Sequence, residues 1–232
     1  MYIKTQFQIK SRNDLTYNII IATEPIQRVK CTKFLGLYID DDLGWTEHID
    51  YVCKMISSGC YAINQLKSIL KSENLKLIYQ SLVHSHLMYG ISLWGAAFEY
   101  KLKRVKSLQK KCIRNICKAK YNSETSSLFR RLNILKFDDV YRTQLCKMMY
   151  KVRHDLLPQT VSDLFTVNSS IHTYNTRHRN DPHVQHRQSN QLARSFLHRG
   201  PKYWLELPSI ISSSLSIFSF NRRIKKYMTQ SY

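Results

Sequence analysis

Acidic residues are scarce in this chain. Sixteen Asp and Glu stand against 36 Lys and Arg, a formal net charge of +20 at pH 7. Such an excess draws polyanions, with nucleic acid the first candidate and an acidic membrane surface the second. The second lacks support: there is no lipidation motif, and no apolar run approaches the roughly 20 residues that cross a bilayer. Met1 to Gln8 also lacks the basic start and apolar stretch of a secretory signal, so the expectation is an intracellular protein, with nucleus and cytoplasm both open. No C-x-x-C occurs among Cys31, Cys53, Cys60, Cys112, Cys117 and Cys146, which read as reduced thiols, three of them (Cys53, Cys60, Cys112) on apolar helix faces. There is no G-x-x-x-x-G-K-[ST], no G-x-G-x-x-G and no G-x-S-x-G, which removes P-loop, dinucleotide-binding and nucleophile-elbow chemistry. No internal repeat is present.

What is there divides into a short β part and a long helical part. With 43% hydrophobic residues over 232 positions, the chain can bury the core of one large or two small domains. Leu15 to Ile21 is rich in β-branched residues and reads as a strand broken at Glu24-Pro25. A second short strand is expected over Ile26–Val29 and a third over Lys33–Ile39, with Leu35, Leu37 and Ile39 on one face. Gly36 inside that strand marks a bulge or a close approach of another backbone. Thr46 then reads as the cap of a helix whose apolar positions run from Ile49 to Leu70. Ser72-Glu73 opens a second helix that stops at Gly90. Shorter helices follow at 126–132 and 192–198, the latter closed by Gly200-Pro201, and longer ones over 137–152 and after Ser216, with Ile217, Phe220, Ile224 and Tyr227 inward. Between Val167 and Asn190 apolar residues thin out around the basic run Arg177 to Arg187, and the stretch reads as a long loop or a disordered segment.

The helix expected over Tyr100–Lys120 is the most informative. Leu102, Val105, Leu108, Cys112, Ile113 and Ile116 form one face, and Lys103, Arg104, Lys106, Lys110, Lys111, Arg114 and Lys118 fall largely on the other. No acid lies between Glu99 and Glu124 to neutralise them. A solvated helix normally mixes signs, so this face reads as one that contacts phosphates. Tyr121, Tyr141, Tyr150, Tyr203 and Trp204 are aromatics that stack on bases or fill the core.

Tyr38-Ile39-Asp40-Asp41 has the spelling of a metal-binding polymerase motif. A polymerase clamps its reacting oxygens with two metal ions held by carboxylates that converge from separate strands. Upstream of Asp40 the only acids are Asp14 and Glu24, and Asp14 reads as a turn residue, so Asp40, Asp41 and Asp42 read as turn and capping residues. The tight histidine pairs, His84-x-His86 and His183-x-x-His186, have no cysteine pair at finger spacing and no H-E-x-x-H helix, so no metal site and no catalytic residue is assigned.

Phe34-Leu35-Gly36-Leu37-Tyr38-Ile39-Asp40, followed by Leu43, Trp45, His48 and Ile49, resembles a segment of the reverse transcriptases of jockey-like non-LTR retrotransposons. Ser81 to Tyr89, Trp94-Gly95, Leu108 to Arg114, Leu132 to Leu135, Tyr174 to Arg177, Gly200 to Trp204 and Leu207-Pro208 extend the resemblance over almost the full length. It implies that Phe34, Leu35 and Gly36 form a primer-grip strand beside the 3′ end of the growing strand, and that the metal-binding aspartates belong to a segment upstream. Lys4-Thr5 resembles the lysine-containing palm motif before it. The resemblance therefore implies a palm remnant over 1–44 and a helical thumb-like region over 45–166, and the residue pattern adds a basic polar loop over 167–191 and a C-terminal helical segment over 192–232. The expected fold is mainly α, a helical bundle preceded by a small antiparallel β ribbon. The expected function is a truncated, non-polymerising binder of template–primer nucleic acid, or alternatively part of an RNA-directed DNA polymerase completed in trans, or a decayed element product without activity. Mg²⁺ is expected only in a complete polymerase.

Overall fold

The computed structural model describes residues 20–21, 24–25, 27–171, 173–174, 177–185 and 189–232. Lys4-Thr5, Asp14, most of the expected strand over 15–21, Ile26, Asn175, Thr176, His186 and Arg187 lie outside them. The expected mainly helical fold with a β ribbon is found. Strand β1 (Ile20–Ile21) pairs antiparallel with β2 (Glu24–Pro25), so Pro25 sits in a short strand rather than breaking one, and 27–29 form no strand.

The expected single strand over 33–39 is instead a hairpin. β3 (Cys31–Phe34) pairs with β4 (Leu37–Asp40) in the register Cys31↔Asp40 to Phe34↔Leu37. Leu35 and Gly36 make the turn, both at positive φ (46° and 79°), the backbone twist that matches a tight hairpin. Leu35 and Leu37 therefore do not share a face: Leu37 is buried, while Leu35 is 74% exposed.

Helix α1 (Thr46–Leu66) starts at the residue expected to cap it. Trp45 before it is left-handed (φ 61°), and the cap comes from Asp40, whose Oδ2 accepts a 2.7 Å hydrogen bond from the Thr46 N–H. The second expected helix is three pieces: α2 (Ser72–Tyr79), a π turn (Gln80–His84), and α3 (Ser85–Met88). The Ser85 N–H reaches the Gln80 carbonyl five residues back, the hydrogen bond of a π turn. α1 crosses this turn at Gly59, where an added Cβ would lie 2.8 Å from Val83 Cγ2 and 3.1 Å from the Leu82 carbonyl. Only a glycine permits that approach. A short α4 (Ile91–Trp94) follows the left-handed Gly90 and plants Trp94 in the core.

Helix α5 (Glu99–Ile116) lies against α1 and runs parallel to it: Arg104 meets Asp50 and Asn115 meets Cys60 at nearly constant offset. α6 (Ser126–Leu132) ends in left-handed Asn133, and α7 (Phe137–Arg153) carries the acids Asp138 and Asp139 in its first turn, where the helix dipole favours them. The stretch over 167–190 is not featureless. α8 (Gln159–Ser162) precedes it, α9 (Asn168–Ile171) lies within it, and Val167 bridges to Pro182.

Two serines, Ser189 and Ser195, cap α10 (Asn190–Arg194) and α11 (Phe196–Leu205). The chain breaks at Ser195, and Gly200-Pro201 lies inside α11 rather than closing a helix. Gly200 is there for packing: its added Cβ would meet Met149 Sδ of α7 at 3.1 Å. α12 (Ser209–Ser212) leads to α13 (Ile217–Gln230), whose cap Ser216 accepts from the Ser219 N–H. Phe220, Ile224 and Met228 point inward. Tyr227, expected inward, is 37% exposed, because the stripe steps by four from Ile224 to Met228. α7, α11 and α13 pack on one another, and their Tyr150, Trp204 and Phe220 join Ile56, Trp94, Val105 and Phe137 in one continuous core. No helix of the described residues is long and apolar enough to cross a membrane.

Candidate nucleic-acid interface

Phe34, Leu35 and Gly36 come together at the hairpin tip. Phe34 is 61% exposed, and Gly36 rests on the ring of Tyr89, where an added Cβ would lie 3.3 Å from Cε1. The Tyr89 hydroxyl donates to the Leu35 carbonyl, and the Trp94 indole N–H donates to the Tyr89 carbonyl at 2.9 Å, which ties the tip to the core. Gly90 gives way to Leu37, whose Cδ2 would lie 2.7 Å from an added Cβ. Two apolar side chains are thus held outward on a seat of fixed geometry.

Asp40, Asp41 and Asp42 do not converge on a shared point. Asp40 caps α1, Asp41 faces Arg28 at 3.7 Å, and Asp42 accepts from the Gly44 N–H at 2.7 Å in an Asx turn. Among the described residues no group of three or more His, Cys, Asp or Glu is placed to hold a metal ion. The six cysteines are free thiols, with Cys53, Cys60, Cys112 and Cys146 buried.

His48, on α1, supports the hairpin from below. Its Nδ1 accepts a long 3.5 Å hydrogen bond from the Tyr38 N–H, and its ring meets Trp94 edge-on. The residue is 1% exposed, and burial lowers its pKa to about 4, outweighing the attraction of Asp40. Between that value and the ordinary histidine range the unfolded chain binds a proton that the folded chain refuses. Stability is therefore full well above pH 6.5 and falls as the pH drops towards 4, by about 3 kcal/mol for this group. Urea unfolding at pH 7 and pH 4.5 is expected to show that loss, and His48→Phe to reduce it; an equal loss in both proteins would assign the acid sensitivity elsewhere.

The seven basic positions of the 100–120 helix separate into two groups. Lys106 is only 19% exposed and binds Glu99 and Asp138, both at 2.8 Å. Burial alone would lower its pKa, but those two carboxylates raise it above the ordinary lysine value. Arg104 pairs directly with Asp50 at 3.0 Å on the exposed surface, and Arg114 donates to the Ser123 carbonyl at 3.0 Å beside the Tyr121 ring. The acids missing from the local sequence thus arrive from α1 and α7. Lys103, Lys110, Lys111 and Lys118 are exposed and have no ion pair among the described residues. Lys118 lies just past α5, in a left-handed turn (φ 52°), so the row on the helix itself is Lys103, Lys110 and Lys111.

A second basic surface was not legible in the sequence. Where the start of α5 meets α10 and α11, a cavity of about 420 Å³ is lined by Phe98, Arg194, Arg199, Lys202 and Tyr203. The Arg194 guanidinium lies 3.7 Å from the centre of the Phe98 ring, and its Nε donates to the Asn190 carbonyl at 3.3 Å. Of the aromatics named as base-stacking candidates, Tyr121 is 86% exposed and Tyr203 half-buried, while Tyr141, Tyr150 and Trp204 belong to the core.

Over a little more than half of its length the chain is similar in sequence to RNA-directed DNA polymerases of mobile elements. Over 126 residues the chain is 24% identical to the "Probable RNA-directed DNA polymerase from transposon X-element" of Drosophila melanogaster, a match covering 53% of this chain and 14% of that protein. It is 26% identical over 142 residues to the RNA-directed DNA polymerase from mobile element jockey of the same species, covering 59% of this chain and 15% of the relative. The jockey polymerase of Drosophila funebris is 27% identical over 133 residues, covering 56% and 14%. The match thus spans about one seventh of each relative's length. No family model matches the chain. No solved structure matches it.

Proposed function

We propose that this chain is a primer-grip and thumb-like module of a reverse transcriptase, one that holds a template–primer duplex by its backbone and does not itself polymerise. The carrying observation is the row Lys103, Lys110 and Lys111, exposed and unpaired among the described residues, on a helix that the core holds rigidly. The relatedness to RNA-directed DNA polymerases supports it. In this reading Lys118 and the Arg194–Lys202 cavity extend the contact, and Phe34 and Leu35 face the primer end. A second reading, completion of a polymerase in trans, draws on the same apolar tip, which offers a packing surface to another polymerase segment. Mg²⁺ enters only with the metal-binding carboxylates of that segment.

Fluorescence anisotropy with a labelled RNA–DNA hybrid tests the duplex reading. Four phosphate contacts give a slope of log K against log salt of about −3 to −4. A slope near zero would reject it. Primer extension by the isolated chain with Mg²⁺ is expected to give no product. Incorporation abolished by Asp40→Ala and Asp41→Ala would reverse the structural assignment of those two carboxylates.

A further inference from the structure

A cavity of about 210 Å³ lies between the π turn, α7 and α13, away from the hairpin and from the exposed face of α5. Its wall includes His84, Thr143, Gln144, Lys147, Asn221 and Lys225. Three buried polar atoms there, His84 Nδ1, Thr143 Oγ1 and Asn221 Oδ1, have no hydrogen-bond partner among the described residues. Buried polar atoms left unpaired cost stability, and three of them on side chains that wall one small cavity point to a polar occupant reached by small side-chain turns.

The charge identifies the occupant further. Lys147 and Lys225 come from different helices and are both half-buried, Lys151 adds to the field at Lys147, and Lys76 adds to the field at Lys225. No carboxylate lines the cavity, and neither Lys147 nor Lys225 has an ion pair among the described residues. Burial lowers the pKa of both lysines; Lys151 and then Lys225 lower that of Lys147 further, and Lys76 that of Lys225. His84 is lowered too, by burial and then by these two lysines, so its ring stays neutral. Donors therefore dominate: two ammonium groups, a hydroxyl, and the NH₂ of Asn221 once its amide is turned over. The volume lies below the roughly 300 Å³ at which sites for drug-sized ligands begin. It suits a tetrahedral oxyanion with a few waters and excludes a base and sugar.

We infer that this cavity binds one phosphate-sized oxyanion, either free phosphate or the terminal phosphoryl group of a nucleotide chain. Bound there, the anion would neutralise Lys147 and Lys225 and accept from Thr143. Because the probe is inorganic phosphate and the residues lie outside α5, failure of this site and failure of the thumb reading are distinguishable.

Isothermal titration calorimetry of the full chain with sodium phosphate, against chloride of equal ionic strength, is the test. Saturable binding is expected, weakened at least tenfold by Lys147→Met and by Lys225→Met and several-fold by Thr143→Val. Lys226→Met, which removes the same charge from an exposed neighbouring position, should leave it unchanged. The Lys→Met variants keep the apolar stem and remove a buried repulsion, so cooperative thermal unfolding should persist and shift upward without phosphate. A 5′-phosphorylated dinucleotide that binds better than phosphate, while its 5′-hydroxyl form fails, assigns the site to a chain terminus; equal or weaker binding assigns it to the free anion. No saturation at tens of millimolar phosphate, or equal affinity in all four variants and the parent, overturns the inference.

Discussion

Reversing Lys103, Lys110 and Lys111 to glutamate together is expected to weaken duplex binding at least a hundredfold near physiological salt and to flatten the salt slope by about three. Each lysine that neutralises a phosphate releases about one counterion, and the reversed charge adds repulsion where attraction stood. The fold should survive, since all three side chains are exposed and none is paired among the described residues. Lys106→Met is the informative contrast. Lys106 bridges Glu99 and Asp138 with 19% of its side chain exposed, so its loss should lower stability by about 1–2 kcal/mol and leave the salt slope unchanged. Anisotropy titrations at several salt concentrations, with urea unfolding alongside, read both quantities. If the triple reversal binds like the parent, α5 is not the duplex-holding helix.

Gln109→Leu is expected to cost about 3–5 kcal/mol of folding stability, a large share of what holds a domain together. Gln109 is 1% exposed in the middle of α5 and joins three elements through one amide. Its Nε2 donates to the Tyr79 hydroxyl at 2.9 Å and to the Leu135 carbonyl at 3.0 Å, and its Oε1 accepts from the Phe137 N–H at 2.9 Å. Leucine fills the space and strands all three groups in the core. Burial raises the Tyr79 pKa, so the phenol cannot escape by ionising. In a chain of this length the loss should lower Tm by about 10 °C. A drop below about 1 kcal/mol would mean that water reaches these groups or that the ends of α2 and α7 move to pair them.

Where a pattern was local, it was legible. The apolar residues of α1 and α5 recur at helical spacing, so both helices and their buried faces were apparent. Ser216 announced α13, and the aspartates from the end of β4 onward had the look of turn and capping residues. What escaped depended on partners remote in sequence. Nothing near Lys106 hints that Asp138 will reach it. Arg194 and Arg199 lie on two helices split at Ser195, so no single helical period contains them both. The hairpin escaped for a different reason: Leu35 takes a left-handed conformation where Asn or Asp is usual, and Leu-Gly does not advertise a turn. Gly200-Pro201 misled because glycine and proline usually end helices, whereas here the glycine admits Met149 and the proline is carried inside α11.

The π turn at 80–84 shapes how this chain can vary in length. Buried Leu75, Tyr79, Val83 and Leu87 succeed one another in steps of four, and each such step overshoots an ideal α-helix by about 40°. The wide turn absorbs that overshoot, as though one residue had been inserted without rotating the helix beyond it. Deleting one residue from 80–84 would therefore leave Tyr89 and Gly90 in phase beneath the hairpin. It would also remove the widened loop that brings His84 to the phosphate-sized cavity. A natural copy shorter by that single residue would keep its seat for the hairpin and lose the other pocket, so one codon divides the two surfaces.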